Sequence, residues 1–319
     1  MNSNMQIIAE KLADAGSILI FAHKNPDGDA VGSAICAGLL LKKMGKTVHY
    51  CMKKDQKGCA ALLDESRFFD QPLLDCYDMA LVVDSSTESY IWGAENLKRC
   101  SKIALIDHHM TNDGFGDYSV IDPHAAASGE LIYLLSEALG IDLDCDMAHA
   151  VYIALVEDTG NFTYSNTTAR THRIAAKLYD VCSDFYLYAD KLKKYEKHRL
   201  DLMRVVLDSV EFFCDNRMVV GKLLFSDPID YLHADTDGLI DIIRNVKECR
   251  LAVFIKQTAE DTYKISLRSS DESINLSDIS KHFGGGGHRK AAGFEFVGSF
   301  EELIGYFKEL ANRTWTDFC

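Results

Sequence analysis

SILIFAHKNPDGDAVGSAICAGLLLKKMG, residues 17 to 45, runs from an apolar stretch through a turn-rich NPDGD into a segment of helical periodicity closed by Gly45. A short apolar run bounded by turn residues reads as a buried strand, and a glycine just past the last periodic residue reads as a helix stop. A strand feeding directly into a helix is the start of a βαβ unit. The pattern repeats downstream. KTVHYC (46–51), MALVVD (79–84) and KIALID (102–107) read as strands, and SGELIYLLSEALG (128–140) and DMAHAVYIALVEDTG (146–160) as helices. A helix-turn region is expected near 57–70. Short strands alternating with helices specify an α/β fold with a mostly parallel sheet flanked by helices.

The second half reads differently. DFYLYADKLKKYEKHRLDLMRVVLDS (184–209) is charged and helical, without proline or a strand signal, and suggests a connector. EFFCDNRMVVGKLLF (211–225) reads as two strands around an Asp-Asn-Arg turn, followed by a helix over 234–246. RLAVFIKQ and TYKISLRSS form a further strand pair, then come a short helix, FGGGGHRKAAGFEF (283–296) and a closing helix from Phe300. The 319 residues exceed one ordinary core. The expected division is residues 1–188 as an α/β domain, 189–210 as a helical linker and 211–319 as a smaller mixed α/β domain.

Composition narrows the class. Hydrophobic residues at 47% and charged residues at 26% are those of a globular protein, and no apolar run is long enough to span a bilayer. MNSNMQIIAEKLADAG reads as an amphipathic helix with Ile8 and Leu12 on one face, without a signal peptide's basic start, so a cytoplasmic location without membrane association is expected. The ten cysteines are scattered from Cys36 to Cys319 with no C-x-x-C pair. Reduced thiols are expected, with Cys36 and Cys182 as small hydrophobes, and a cysteine-based zinc site is not. The net charge of −14 disfavours coating of duplex DNA. A small anionic substrate is compatible with it where carboxylates hold divalent cations.

Polar residues collect where strands end: His23, Asp27 and Asp29 after the first, Asp84 after the third, Asp107, His108 and His109 after the fourth. Asp158 lies in VEDTGNF. Carboxyl ends of parallel strands share one edge, where ligands bind. Singly, each has an ordinary explanation: Asp29 could cap the following helix, and a lone histidine is more often a satisfied polar group. NPDGDA echoes a calcium loop, but the closing glutamate position holds Cys36 or Gly38. Together, so many acids on one edge repel one another unless cations neutralise them. Oxygen donors with two or three imidazoles favour Mn²⁺, with Mg²⁺ second.

H-x-x-P-D-G-D-A (His23 to Ala30), VVDSS with Asp84, DHH (107–109) and the Asp158 motif together resemble the DHH phosphoesterase superfamily, and FGGGGHRKAAG resembles its DHH-associated domain. The resemblance spans nearly the whole chain. It is nearest the bacterial bifunctional oligoribonuclease and PAP phosphatase (nano-RNase) branch. It implies two metals bridged by Asp84, one held by His23, Asp27 and Asp84, the other by Asp29, Asp84, His108 and Asp158. It further implies that Asp107 orients the histidines and that His109 faces the phosphate or the leaving oxygen, making Asp107 and His109 the catalytic pair. A pair of cations clamping both oxygens of an in-line displacement fits this set. Where the family often carries Ser-Thr before Gly-Glu, this chain has AAASGE, which puts a hydroxyl contact there in doubt; Ser128 could equally be a helix N-cap.

The second domain is expected to grip the substrate. GGGGH lacks the Lys-Ser/Thr ending of a P-loop and the spacing of a dinucleotide fingerprint. Glycines let backbone N–H groups approach an anion, and Lys281, His282, His288, Arg289 and Lys290 form a basic cluster. The resemblance assigns substrate contacts to Arg268, Gly286, Gly287, His288 and Arg289. The expected activity is hydrolysis of short single-stranded oligoribonucleotides and of the 3′ phosphate of adenosine 3′,5′-bisphosphate; the alternative is a cyclic or linear dinucleotide phosphodiesterase. Inorganic pyrophosphatase, long-strand exonuclease and a silent nucleotide sensor are the weaker readings, and a homodimer is compatible with the sequence.

Overall fold

The computed structural model describes residues 3–53, 74–187, 195–234, 236, 238–287 and 289–316. The helix-turn region expected near 57–70 lies outside the described residues. The chain divides into two compact units, Met1–Lys194 and Tyr195–Cys319.

The first unit is built on β1 (Ser17–Phe21), β2 (Thr47–Cys51), β3 (Met79–Val83), β4 (Ile103–Asp107) and β5 (Tyr118–Ile121), in the order β2-β1-β3-β4-β5. Every pairing is parallel. β3 is buried along its whole length, as expected of a strand covered on both faces. Its helices are α1 (Ser3–Asp14), α2 (Gly28–Lys43), α3 (Ser128–Leu139), α4 (Cys145–Asp158) and α5 (Ala169–Val181). α1 buries Met5, Ile8, Ala9 and Leu12, the stripe visible in the sequence. α2 is buried on nearly every side and passes very close to α4: a Cβ on Gly32 would sit 2.2 Å from the Ala150 carbonyl oxygen. Gly140, at φ 66, closes α3 in the left-handed conformation that glycine adopts without cost.

The second unit carries a six-stranded sheet ordered β10-β11-β9-β8-β7-β6. Its strands are β6 (Glu211–Phe213), β7 (Met218–Leu223), β8 (Leu251–Ala259), β9 (Thr262–Ser269), β10 (Gly286–Gly287) and β11 (Ala291–Val297). Only β7 and β8 pair in parallel. Its helices are α6 (Lys197–Asp208), α7 (Leu239–Arg244), α8 (Leu276–His282) and α9 (Phe300–Thr314). The charged stretch read as a connector yields α6, which falls within this unit because Leu202 and Val206 are buried against Val219, Leu239 and Ile243. The helix expected over 234–246 is shorter than its pattern, starting after Gly238 in the left-handed region and stopping at Arg244.

Contrary to the expectation from the sequence, the cysteines are not all reduced thiols. Cys145 and Cys182 are joined in a disulfide across 37 residues, and Cys214 is also disulfide-bonded. Cys182 is not an interior hydrophobe of a helix; it is the C-cap of α5, facing the start of α4. Cys36, Cys51, Cys76, Cys100 and Cys249 are free thiols. Among the described residues no helix is long and apolar enough to cross a membrane.

Candidate metal centre

The chain leaves β1 toward β2 on one side and comes back as β3 on the other. That reversal opens a crevice at the carboxyl ends of the strands. His23 and Asp27 follow β1, Asp84 follows β3, and Asp107 ends β4.

Asp84 lies at the centre. Its φ of 51° places it in the left-handed region, where a non-glycine residue costs roughly 1–3 kcal/mol and persists only when its surroundings fix it. They do: its N–H donates to the Ile106 carbonyl at 3.1 Å, and the Ser128 hydroxyl donates to its Oδ1 at 3.0 Å. Oδ2 is 3.4 Å from His23 Nε2, while Oδ1 is 3.6 Å from His108 Nε2 and 3.7 Å from His109 Nδ1. The two oxygens of one buried carboxylate thus face different histidines.

Asp27, not Asp29, caps α2, accepting the N–H groups of Asp29 and Ala30 at 3.1 Å each. Asp29 is fully buried and caps a different helix: its oxygens accept Ser128 N–H at 2.7 Å and Gly129 N–H at 2.9 Å, the open N-terminus of α3. The N-cap position of α3 is Ala127, so Ser128 is not the cap, and its hydroxyl is free to hold Asp84. AAASGE therefore keeps a hydroxyl contact at this point. His108 Nδ1 lies 3.2 Å from the Ala125 carbonyl, to which it donates, leaving Nε2 3.2 Å from Asp158 Oδ2 and 3.7 Å from Asp29 Oδ2. His109 Nδ1 is 2.8 Å from Asp107 Oδ1, and Asn112 donates to Asp107 Oδ2 at 2.6 Å. Tyr90 stacks on His23 at 5.4 Å between ring centres.

The electrostatics of the cluster are crowded. Burial, then the charges of Asp84 and Asp27, push Asp158 up to about 8. Burial and the neighbouring Asp84 and Asp158 drive Asp29 well above the ordinary range. Burial opposes charging of His23, yet hydrogen bonds to Asp27 and Asp84 carry it up to about 10. The hydrogen bond to Asp107 raises His109 to about 9. Burial pushes Asp107 up, but its bond to His109, the charge of that ring, the Asn112 bond and the charge of His108 together hold it low. Acids packed this closely favour added positive charge, and the donors fit divalent cations: His23, Asp27 and Asp84 form one group with ligand atoms within 4.8 Å, and Asp29, His108 and Asp158 form another.

Residues 17–155 match the DHH family, N-terminal domain, and residues 221–314 match the DHHA1 domain. The chain is 31% identical to the bifunctional oligoribonuclease and PAP phosphatase NrnA of Thermus thermophilus, over 97% of its own length and 95% of the relative's. The chain belongs to the DHH family. The NrnA of Mycoplasma genitalium is 26% identical over 86% of the chain and 87% of the relative. An exopolyphosphatase-related protein from Bacteroides fragilis shares the fold with a TM-score of 0.88 at 23% identity, covering 99% of this chain and 98% of that one.

Within the DHHA1 domain, a cavity of about 560 Å³ is lined by Arg268, Lys264, Gly286, Gly287 and Phe294, among others. Arg268 is half-buried and its Nε stands 3.9 Å from Asp241 Oδ1. The glycines have a structural reason: a Cβ on Gly285 would meet the Gly293 carbonyl oxygen at 2.3 Å, and one on Gly287, at φ 134, the Cα of Ala292 at 2.5 Å. β10 can pair with β11 only without side chains there. Arg289 does not line this cavity; its guanidinium bonds the Glu272 carbonyl, and Lys290 pairs with the Glu272 carboxylate at 2.6 Å. His288 lies outside the described residues. The sequence offered Ser128 as a helix cap with its hydroxyl contact in doubt, and Asn112 went unread; its only signal is its position just after the DHH motif.

Proposed function

We propose that this DHH-family chain is a hydrolase of short oligoribonucleotides that also removes the 3′ phosphate of adenosine 3′,5′-bisphosphate, using two divalent cations, Mn²⁺ in preference to Mg²⁺. The observation that carries the reading is the convergence of Asp27, Asp29, Asp84, Asp107 and Asp158 with His23, His108 and His109 at the β1/β3 switch of the sheet. That the Thermus thermophilus and Mycoplasma genitalium relatives are bifunctional oligoribonucleases and PAP phosphatases supports the substrate class.

One cation would be held by His23, Asp27 and Asp84, the other by Asp29, Asp84, His108 and Asp158. When bound, such cations polarise the phosphoryl oxygens and lower the pKa of attacking water. The protein's part is positional. Asp84 offers one oxygen to each group and is fixed by Ser128. Ala125 fixes the His108 tautomer, as a metal-ligating imidazole requires. Asp107, steadied by Asn112, binds His109 through Nδ1 and leaves Nε2 to meet the phosphate or leaving oxygen. In the DHHA1 domain, Arg268 supplies a planar, permanently charged clamp for a phosphate, and backbone at Gly286 and Gly287 lines the same cavity. His288 and Arg289 are proposed as further substrate contacts on family resemblance, Arg289 after release from Glu272.

The test is a substrate panel with Mn²⁺: a diribonucleotide, longer RNA, adenosine 3′,5′-bisphosphate, cyclic dinucleotides and pyrophosphate. Turnover of the first and third well above the rest is expected. Preferential turnover of cyclic dinucleotides or pyrophosphate would replace this assignment with another activity on the same centre.

A further inference from the structure

A second cluster of metal-ligating side chains lies at the other end of α4, away from Asp158. Cys145 and His149 stand four residues apart on that helix, hence on one face. Cys182 caps α5, and Asp184 follows it closely in the chain. His149 Nε2 is 2.6 Å from Asp184 Oδ1, and Cys182 Sγ is 3.1 Å from the same oxygen and 3.5 Å from His149 Nε2. The donor atoms of His149, Cys182 and Asp184 all lie within 4.8 Å of one another, and Cys145 Sγ is bonded to Cys182 Sγ. Phe185 sets its ring edge-on to His149 at 5.3 Å, holding the imidazole in the cluster.

A disulfide alone needs neither the imidazole nor the carboxylate. Once the sulfur–sulfur bond is reduced, two thiols and a carboxylate surround one imidazole, a set that suits a cation of borderline softness. Two thiolates, one imidazole and one carboxylate fill four-coordinate zinc, and they discriminate against the hard cations suited to the Asp/His edge. We propose that, in the dithiol state, Cys145, His149, Cys182 and Asp184 form a closed site for a zinc-class divalent cation, which takes the place of the disulfide. Reduction by a dithiol yields two protein thiols and the reductant's own disulfide. Cation entry then releases both thiol protons to solvent, giving a dithiolate complex. Either closure ties the start of α4 to the end of α5. With four protein donors and no open position, the site is structural. The spacing, Cys-x₃-His with a distant Cys-x-Asp, is not a C-x-x-C pattern, so a search for that pattern passes over it.

The test uses the full chain, reduced with a phosphine, freed of it without air, and titrated with Co²⁺. Thiolate-to-cobalt charge transfer in the near ultraviolet reports sulfur ligation alone, so the Asp/His edge, whose candidate ligand groups contain no cysteine, is silent. The band should saturate at an intensity matching one sulfur-ligated Co²⁺ per chain, be displaced by Zn²⁺, and be absent from the disulfide form of the same protein. It should be lost in Cys182→Ser, unchanged in Cys76→Ser, and form with at least about ten-fold weaker affinity in Asp184→Asn. No band in the reduced wild-type chain, or a band that survives Cys182→Ser, would overturn the proposal. The comparison of reduced with oxidised wild-type protein decides it even if a variant folds poorly.

Discussion

The acidic edge of the first unit and the glycine-lined cavity of the second both suit phosphate chemistry, yet they are built in opposite ways. At the edge, side chains do everything: buried carboxylates are packed closely enough that Asp29 and Asp158 are pushed toward their neutral forms. In the cavity, part of the wall is bare backbone: Gly286, Gly287 and Gly293 line it, a side chain on Gly287 would run into Ala292, and Arg268 contributes the clamp. The first arrangement concentrates negative charge until it requires cations. The second presents backbone and a guanidinium to an anion. One region is therefore expected to fail by losing metal, the other by losing substrate.

The largest effect should follow Asp84→Ala. One candidate group contains this carboxylate, and its other oxygen faces His108 of the second, so on the bridging assignment turnover should fall by more than the roughly 100-fold typical of a residue that only orients a ligand. Elemental analysis should find cation content reduced at the same time. Two cations per chain with near-normal rates would break the bridging assignment.

A division within the edge comes next. His109→Ala should keep cations and lose rate, because its Nδ1 is committed to Asp107. His108→Ala should weaken cation binding as well, since Nε2 faces Asp29, Asp84 and Asp158. Equal cation affinities in the two variants, measured by calorimetry, would erase the distinction.

Arg268→Ala probes the other region. Loss of a charged contact to phosphate costs on the order of 1.5–3 kcal/mol, about ten-fold to over a hundred-fold. Diribonucleotides and adenosine 3′,5′-bisphosphate should suffer that loss, whereas a small activated phosphodiester lacking a second phosphate should be cleaved almost normally. Equal losses on both would mean that Arg268 supports the fold.

The smallest effect is on stability. Without cations, folded Asp158 keeps its proton up to about 8, whereas an unfolded aspartate releases it near ~3.9. His109 stays charged up to about 9, against ~6.5 when unfolded. Between each pair of values the folded state binds more protons, so stability should decline as pH rises through that window. Asp27 and Asp107, held low, act oppositely and only on the acid side. Added Mn²⁺ should raise the Tm more near pH 9 than near pH 6. A uniform rise would show that protons and cations do not compete.

How far the sequence could be read follows from the same contrast. The strands and the motif acids were legible because apolar runs and turn residues declare strand ends, and because acids at strand ends of one sheet must meet. The Ser128–Asp84 bond and the capping of α3 by Asp29 were not, since these contacts bridge 44 to 100 residues and depend on how helices pack. The Asn112–Asp107 bond, though local, depends on the conformation of the loop after β4. β5, with a half-buried Tyr-Ser-Val-Ile, and α5, whose apolar face is narrow, carry weak patterns. The Cys145–Cys182 pairing was hidden for the same reason as Ser128: α4 and α5 meet only in the fold.

Cation dependence of turnover tests the account most directly. Protein stripped by chelation should not hydrolyse adenosine 3′,5′-bisphosphate, and activity should return as Mn²⁺ is added back, reaching its plateau at two bound per chain. Full turnover by the stripped protein, or a plateau reached with one cation bound, would contradict the reading of the Asp/His edge as a two-cation centre.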